Sequence, residues 1–528
     1  MRNSPIPATI ASIALLVLLG ACSTMRKDYA KPASVALAPV VDSPAARYTD
    51  AEQDKHPDDQ SGFRLLTLST NALMSRIALA DKAEKTLDLQ YYIFREDETG
   101  RLMMQHLLKA ADRGVRVRIL LDDVQLDKEV QMFDALDAHE NIEVRLFNPF
   151  NTRKPNVFSK AAQILLEFRR LNRRMHNKSF IADNRVAVVG GRNMADDYFD
   201  ADEKSNFRDL DLLAIGPVVQ DASRSFDTYW NDKASIPVTA YAATRDTRSD
   251  LVELRTELNS HAREFAQSDY AQAILDELPN GATADRRGQW FWGKAVLVAD
   301  QPEKIDESKG APGLSIGPGV KGLIDSAKSE LLLMSPYFVP TGQDVADFST
   351  LAHNGVTTRI LTNSLASTDE PAVQSGYSEH RRDLLAGGIE LYELKPVPGI
   401  KQTATQYGRS SGVSLHAKSF VVDQRFVFVG SMNMDQRSKL LNTEMGIIVD
   451  SPALAKAVGD FFATAILPAN AYRLSLESKD GAGGGSGQIL WSTSEDGKPV
   501  TLTSEPGVGA MRRIEVLLLQ MLPIDGLL

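Results

Sequence analysis

HNKSFIADNRVAVVGGRN, residues 176–193, and HAKSFVVDQRFVFVGSMN, residues 416–433, follow one pattern, H-x-K-x4-D-x6-G-[GS]-x-N, without an insertion. The apolar flanks Phe180 and Ile181, and Phe420, Val421 and Val422, predict a strand in each copy. Residues two apart on a strand share a face, so His176 emerges beside Lys178 and His416 beside Lys418. A second predicted strand and a glycine turn then carry Asn193 and Asn433, each seventeen residues after its histidine. Each copy delivers an imidazole, an ammonium and a carboxamide. One copy carries a single imidazole, so a reaction that needs one group to attack and another to donate a proton takes both copies.

Working outward, the surroundings of the two copies also repeat. AEKTLDLQYYIF (83–94) and ADRGVRVRILLDD (111–123) are matched by AKSELLLMSPYFVP (327–340) and AHNGVTTRILTNS (352–364). Each pair reads as a strand, a crossover helix ending near a glycine (Gly114, Gly355) and a second strand, the layout of a parallel βαβ unit. NIEVRLFNPF (141–150) and GIELYELKPV (388–397) supply further strands. The expected fold is α/β, with two similar halves, 61–240 and 295–470, each a mixed sheet flanked by helices. A helical connector spans 241–294 and a strand-and-helix extension follows at 471–528. At 528 residues, the chain has the length for two such units.

The N-terminus predicts a different physical setting. Arg2, the apolar run ATIASIALLVLL (8–19) and the small residues ahead of Cys22 read as a signal peptide, residues 1–22. Cys22 is the only cysteine, so no intramolecular disulfide is possible, and its place resembles a bacterial lipobox in which the thiol is acylated after cleavage. The expectation is a membrane anchor in the cell envelope facing the periplasm, with Ser23 leaning by analogy towards the outer membrane. Residues 23–60, rich in Ala, Pro, Asp and Ser, read as a flexible tether. The formal net charge of -10 argues against a protein that coats nucleic acid by bulk electrostatics.

The doubled motif is the signature of the phospholipase D superfamily, which the chain resembles in both halves. LDLQYYIFREDETGRLM, LNRRMHNKSF, VGGRNMADDYF, DLDLLAIGPVV and GSMNMDQRSKLLNTEMGIIVD are similar to bacterial cardiolipin synthases, the C type especially. The resemblance implies that the halves pack about a pseudo-two-fold axis with both histidines flanking one phosphate. It also implies His176 as nucleophile, forming a phosphohistidine, and His416 as general acid and then base. Lys178, Lys418, Asn193 and Asn433 would hold the non-bridging oxygens. Asp183 and Asp423 complete the catalytic motif, although their place near a strand end suits a structural role equally. Carboxylates that fix the imidazole tautomers are sought on the strand after each motif, where Asp209 and Glu444 stand, with Asp211 on the same face as Asp209. The scheme uses no metal and no cofactor.

The substrates this implies are phospholipids at a membrane: phosphatidylglycerol, with phosphatidylethanolamine as a candidate donor. Nucleic acid is not expected, and no protein partner is indicated. Hydrolysis to phosphatidic acid, a nuclease and an inactive lipid-binding scaffold remain as alternatives. Arg169, Arg170, Arg173 and Arg174 precede the first motif and offer either a surface for lipid headgroups or a solvated helix face. MRRIEVLLLQMLPIDGLL (511–528) suits either the membrane interface or packing on the second half.

Overall fold

The computed structural model describes residues 23–24, 28–124, 130–153, 167–202, 204–241, 247–277, 289–306, 313–396, 412–477 and 487–520. Cys22 and the signal segment lie outside the described residues.

In the first half, the strands Thr86–Tyr91, Arg116–Asp122 and Ile142–Phe147 run parallel in that order. Ser179–Ala182 joins Thr86–Tyr91 antiparallel, and Val186–Gly190, Asp211–Ile215 and Ser61–Leu66 continue the sheet. The second half repeats this order. Glu330–Met334, Thr357–Asn363 and Glu390–Leu394 are parallel, and Ser419–Val422, Phe426–Gly430 and Met445–Asp450 follow antiparallel. Gly114 and Gly355 both adopt φ +89°, the left-handed turn with which a helix ends before the chain re-enters a strand.

One strand, Phe291–Ala299, belongs to both sheets. Its start pairs with Ser61–Phe63 and its remainder with Met445–Asp450. Apolar side chains of both halves, among them Ile181, Val189 and Leu212 facing Val421, Val427 and Ile447, form a central core that also takes in the helices Pro217–Asn231 and Pro452–Ala465. The outer helices cover the far face of each sheet. The mixed α/β architecture is therefore as the repeats predict, and the helices Thr247–Phe265 and Asp269–Glu277 lie between the two halves.

Two boundaries differ from expectation. The strand Ala471–Leu476 pairs with Glu390–Leu394, and Ile489–Glu495 and Lys498–Leu502 extend the sheet further, so the second half does not stop at 470. Beyond it, helix Ala510–Gln520 packs on helix Pro371–Ala386, where Arg381 grips Glu505 through both terminal nitrogens at 2.8 and 2.9 Å.

The second correction concerns residues 28–60, which are docked on the first half. Extended chain offers carbonyls with no internal partner, and side chains of the first half take them. Arg145 donates to the carbonyl of Pro32 at 2.6 Å, Arg118 to Ser34 at 3.0 Å, Arg116 to Val35 at 3.0 Å and Asn184 to Leu37 at 2.9 Å. In return, the Ala36 N–H donates to Asp227 at 2.8 Å. Helix Pro44–Gln53, capped by Ser43, follows. Brief proteinase K digestion of the folded chain is expected to leave this segment attached; rapid cutting between Ala33 and Pro39 would restore the tether.

Candidate active site

Each motif strand starts inside the other half. The His176 N–H donates to the carbonyl of Thr443 at 2.8 Å, and the His416 N–H to that of Arg208 at 2.7 Å. Thr443 and Arg208 each precede a carboxylate, Glu444 and Asp209, and these carboxylates cross over in the same reciprocal way. Glu444 Oε2 lies 2.9 Å from His176 Nδ1, and Asp209 Oδ2 lies 2.5 Å from His416 Nδ1. The sequence supplied the two carboxylates but not their destinations; packing of the halves decides that each serves the histidine of the other. With Nδ1 engaged, both imidazoles keep Nε2 for a substrate.

Both carboxylates are held in turn. Ser431 and Ser438 donate through their hydroxyls to Glu444. Asp209 accepts from the Leu210 N–H at 2.7 Å and lies so close to Gly191 that a Cβ there would meet its Oδ1 at 2.2 Å. This explains why a glycine stands in the first copy where Ser431 stands in the second. Asp211, the other candidate, is bound by Arg76 and Arg192 at 3.0 and 3.2 Å.

The centre is buried and rich in cations. Burial pushes Lys178 down to about 7 and Lys418 down to about 8, each against the pull of Glu444 and Asp209. Burial, with the nearby lysine charges, lowers His176 to about 4 despite Glu444, and holds His416 well below the ordinary imidazole value. Asp209 is pushed up to about 7 by its own burial. Burial would raise Glu444 as well, but the His176 and Lys178 charges and the hydrogen bonds outweigh it and keep the carboxyl below its usual range. His176 is therefore a neutral imidazole at neutral pH, the form with a free lone pair.

Other expected residues fall elsewhere. Asp183 and Asp423 are structural in this geometry: each opens a two-residue left-handed turn at φ 53°. The Asp183 carboxylate accepts from the N–H groups of Glu84, Lys85 and Thr86, and that of Asp423 from Lys328, Ser329 and Glu330. Each clamps the start of a central parallel strand. Asn193 is partly committed, its carbonyl accepting from Ile93 N–H at 3.1 Å and its amide donating to Tyr198 at 2.8 Å. Asn433 is buried, and its side-chain oxygen has no partner among the described residues. Of the arginines before the first motif, Arg174 is buried against the carbonyls of Leu171 and Asn148, Arg173 donates to Lys304 O at 3.0 Å and Arg170 binds Glu167. These three belong to the chain's own polar network.

Three aromatic rings were not singled out from the sequence. Tyr92 meets His176 edge-on at 5.0 Å, while Tyr198 and Phe207 lie 5.0 and 4.8 Å from His416. Tyr92 follows a strand, Tyr198 ends a short 3-10 helix and Phe207 lies in the strand Ser205–Arg208, with no spacing in common, so no sequence pattern announces them. Among the described residues, no cluster of three or more His, Cys, Asp or Glu side chains is placed to hold a metal.

Two duplicated α/β halves that bring two His-Lys pairs to one buried centre define the phospholipase D-like class. A family model described as "Cardiolipin synthase, PLD-like domain" matches residues 77–230 and 320–466. The chain is 39% identical to Cardiolipin synthase C of Escherichia coli (strain K12), over 90% of this chain and 97% of that one. It is 27% identical to a cardiolipin synthase of Clostridium perfringens (strain SM101 / Type A), over 72% of this chain and 65% of that one. In fold it is similar to the crystal structure of phosphatidylserine synthase of Haemophilus influenzae Rd KW20, with a TM-score of 0.53, 14% identity, and coverage of 77% of this chain and 86% of that one. The chain belongs to the PLD-like cardiolipin synthase family, whose members are phospholipid-modifying enzymes.

Proposed function

We propose that the chain is a phosphatidyltransferase that makes cardiolipin from phosphatidylglycerol and a second phospholipid. The observation that carries this is the reciprocal pairing of Glu444 with His176 and Asp209 with His416, which leaves both Nε2 atoms for one phosphate. Nε2 of neutral His176 attacks the donor phosphorus. The bond from phosphorus to the headgroup oxygen breaks, and His416 passes a proton to the departing alkoxide. In the second step, His416 takes the proton of a phosphatidylglycerol hydroxyl, whose oxygen attacks phosphorus and releases His176. Lys178 and Lys418 hold the charge that builds on the non-bridging oxygens, and Asn433 offers its amide to them. Asp209, 2.5 Å from His416 Nδ1, orients that ring so that Nε2 handles the proton.

The protonation states set the sign of the pH dependence. The lysines bind phosphate only while charged, so kcat/KM falls as pH rises through the values near 7 and 8 at which Lys178 and Lys418 lose their protons. It falls again as pH drops towards about 4, where His176 gains a proton and loses its lone pair. A rate profile on phosphatidylglycerol vesicles is expected to show both limbs, and a flat alkaline limb would remove the lysines from phosphate binding.

The donor lipid and the membrane are part of the same proposal. Phosphatidylethanolamine is the candidate donor, and acylated Cys22 holds the enzyme to a periplasmic membrane face. No helix among the described residues is long and apolar enough to cross a membrane. Purified protein incubated with phosphatidylglycerol, with and without phosphatidylethanolamine, tests the chemistry. Cardiolipin supports transfer, phosphatidic acid alone replaces it with hydrolysis, and no turnover leaves a scaffold. Loss of radiolabelled palmitate incorporation in Cys22→Ala tests the anchor.

A further inference from the structure

The second half carries a cavity of about 420 Å3. Val320 and Ile324 of helix Gly317–Asp325, Phe348 of helix Gly342–His353, and Phe338, Met432 and Met434 line it. Met432 and Met434 flank Asn433, so the cavity wall and the phosphate site share one loop. Exposed Leu440 stands on the rim.

The duplication shows what this place looks like when it is filled. Met434 bridges to Phe338 just as Met194 bridges to Phe94, which sets the two halves in register. Five residues after each methionine stand Lys439 and Phe199. Seven residues before the matching alanines, Ala327 and Ala83, stand Val320 and Arg76. In the first half, Phe199 is fully buried, the Arg76 guanidinium lies 5.8 Å from its ring, and Tyr270 of the connector helix Asp269–Glu277 bonds its carbonyl. In the second half, the shorter Val320 and the outward-reaching Lys439 leave the space open, and every lining residue belongs to that half.

We infer that this cavity binds one acyl chain of a phospholipid substrate. The inference rests on the phosphatidyltransferase reading for its ligand, and three features select an acyl chain. The lining is apolar. Its rim charges are already neutralised within the chain, Lys321 by Asp325 and Asp347 at 2.6 and 2.8 Å and Lys439 by Asp344 at 2.8 Å, leaving little for a charged protein surface to recognise. At roughly 30 Å3 for each water-sized group, the volume takes on the order of a dozen methylenes, most of one chain. The cavity thus holds a tail while the neighbouring loop holds the phosphate.

Two measurements on the full-length protein test this. Photolysis with phosphatidylglycerol bearing a diazirine near the end of one palmitoyl chain is expected to place adducts on residues 317–324, 338–348 or 432–440; adducts confined to other segments would overturn the inference. Val320→Trp fills the space, so kcat/KM for dipalmitoyl phosphatidylglycerol is expected to fall about tenfold, the worth of roughly two buried methylenes. Dihexanoyl phosphatidylglycerol, with chains too short to fill the cavity, should be used within about twofold of wild type. Equal losses on both lipids, or none on either, would contradict a tail site. Adducts in the cavity without cardiolipin production would keep the tail site and discard the transferase, so the two readings fail separately.

Discussion

Replacement of His176 by alanine is expected to lower the rate of cardiolipin formation by more than about 10^3-fold while leaving the thermal midpoint nearly unchanged. In the proposed mechanism its Nε2 forms the covalent bond to phosphorus, so its removal takes away the first step. Glu444→Gln keeps the shape of the carboxylate but not its charge, so Nδ1 loses the acceptor that fixes the tautomer; a loss approaching about 10^4-fold is expected by analogy with other carboxylate-oriented histidines. The two changes act on one step. The double variant should therefore be no slower than His176→Ala alone. Because Glu444 sits in the other half of the chain, this non-additivity reports the crossed pairing itself. Multiplying losses would mean that Glu444 acts on something other than His176.

Asp183→Ala is expected to behave in the opposite manner, losing stability and keeping catalysis. The carboxylate satisfies three backbone N–H groups, at 3.0 Å from Glu84, 2.7 Å from Lys85 and 3.0 Å from Thr86. Stranding them should cost about 2–4 kcal/mol. The left-handed φ of 53° adds to this, because alanine tolerates that region poorly. The unfolding midpoint should drop by about 5 °C or more, with kcat of the folded protein within about twofold of wild type. Asp183→Asn keeps an acceptor and tolerates the turn, so it should recover part of the loss. A fall in kcat of about 10^3-fold without loss of stability would return Asp183 to the chemistry.

The sequence and the structure agree where a repeat or a period carries the information. His176, Lys178, His416 and Lys418 are legible because their two-residue spacing on a strand fixes which face they share. Glu444 and Asp209 are legible as candidates, since a tautomer-fixing carboxylate belongs on a neighbouring strand, yet their crossed destinations arise only when the halves meet. Residues 28–43 misled for a physical reason. Proline and alanine suit a linker, but an extended chain is also an array of free carbonyls, and Arg116, Arg118 and Arg145 lie too far along the sequence to advertise that they use it. Tyr92, Tyr198 and Phe207 were hidden by a lack of common spacing. Asp183 and Asp423 read both ways in the sequence, because a motif residue at a strand end can serve the turn as well as the reaction.

The most direct test of two histidines acting on one phosphorus is to trap the intermediate. Protein carrying His416→Ala, mixed with phosphatidylglycerol labelled with 32P and quenched in alkali, should accumulate a phosphatidyl adduct that peptide mapping assigns to His176. The wild-type protein should show the same adduct at lower occupancy, and His176→Ala should show none. Label on no histidine, or undiminished cardiolipin formation by either single variant, would contradict the shared centre.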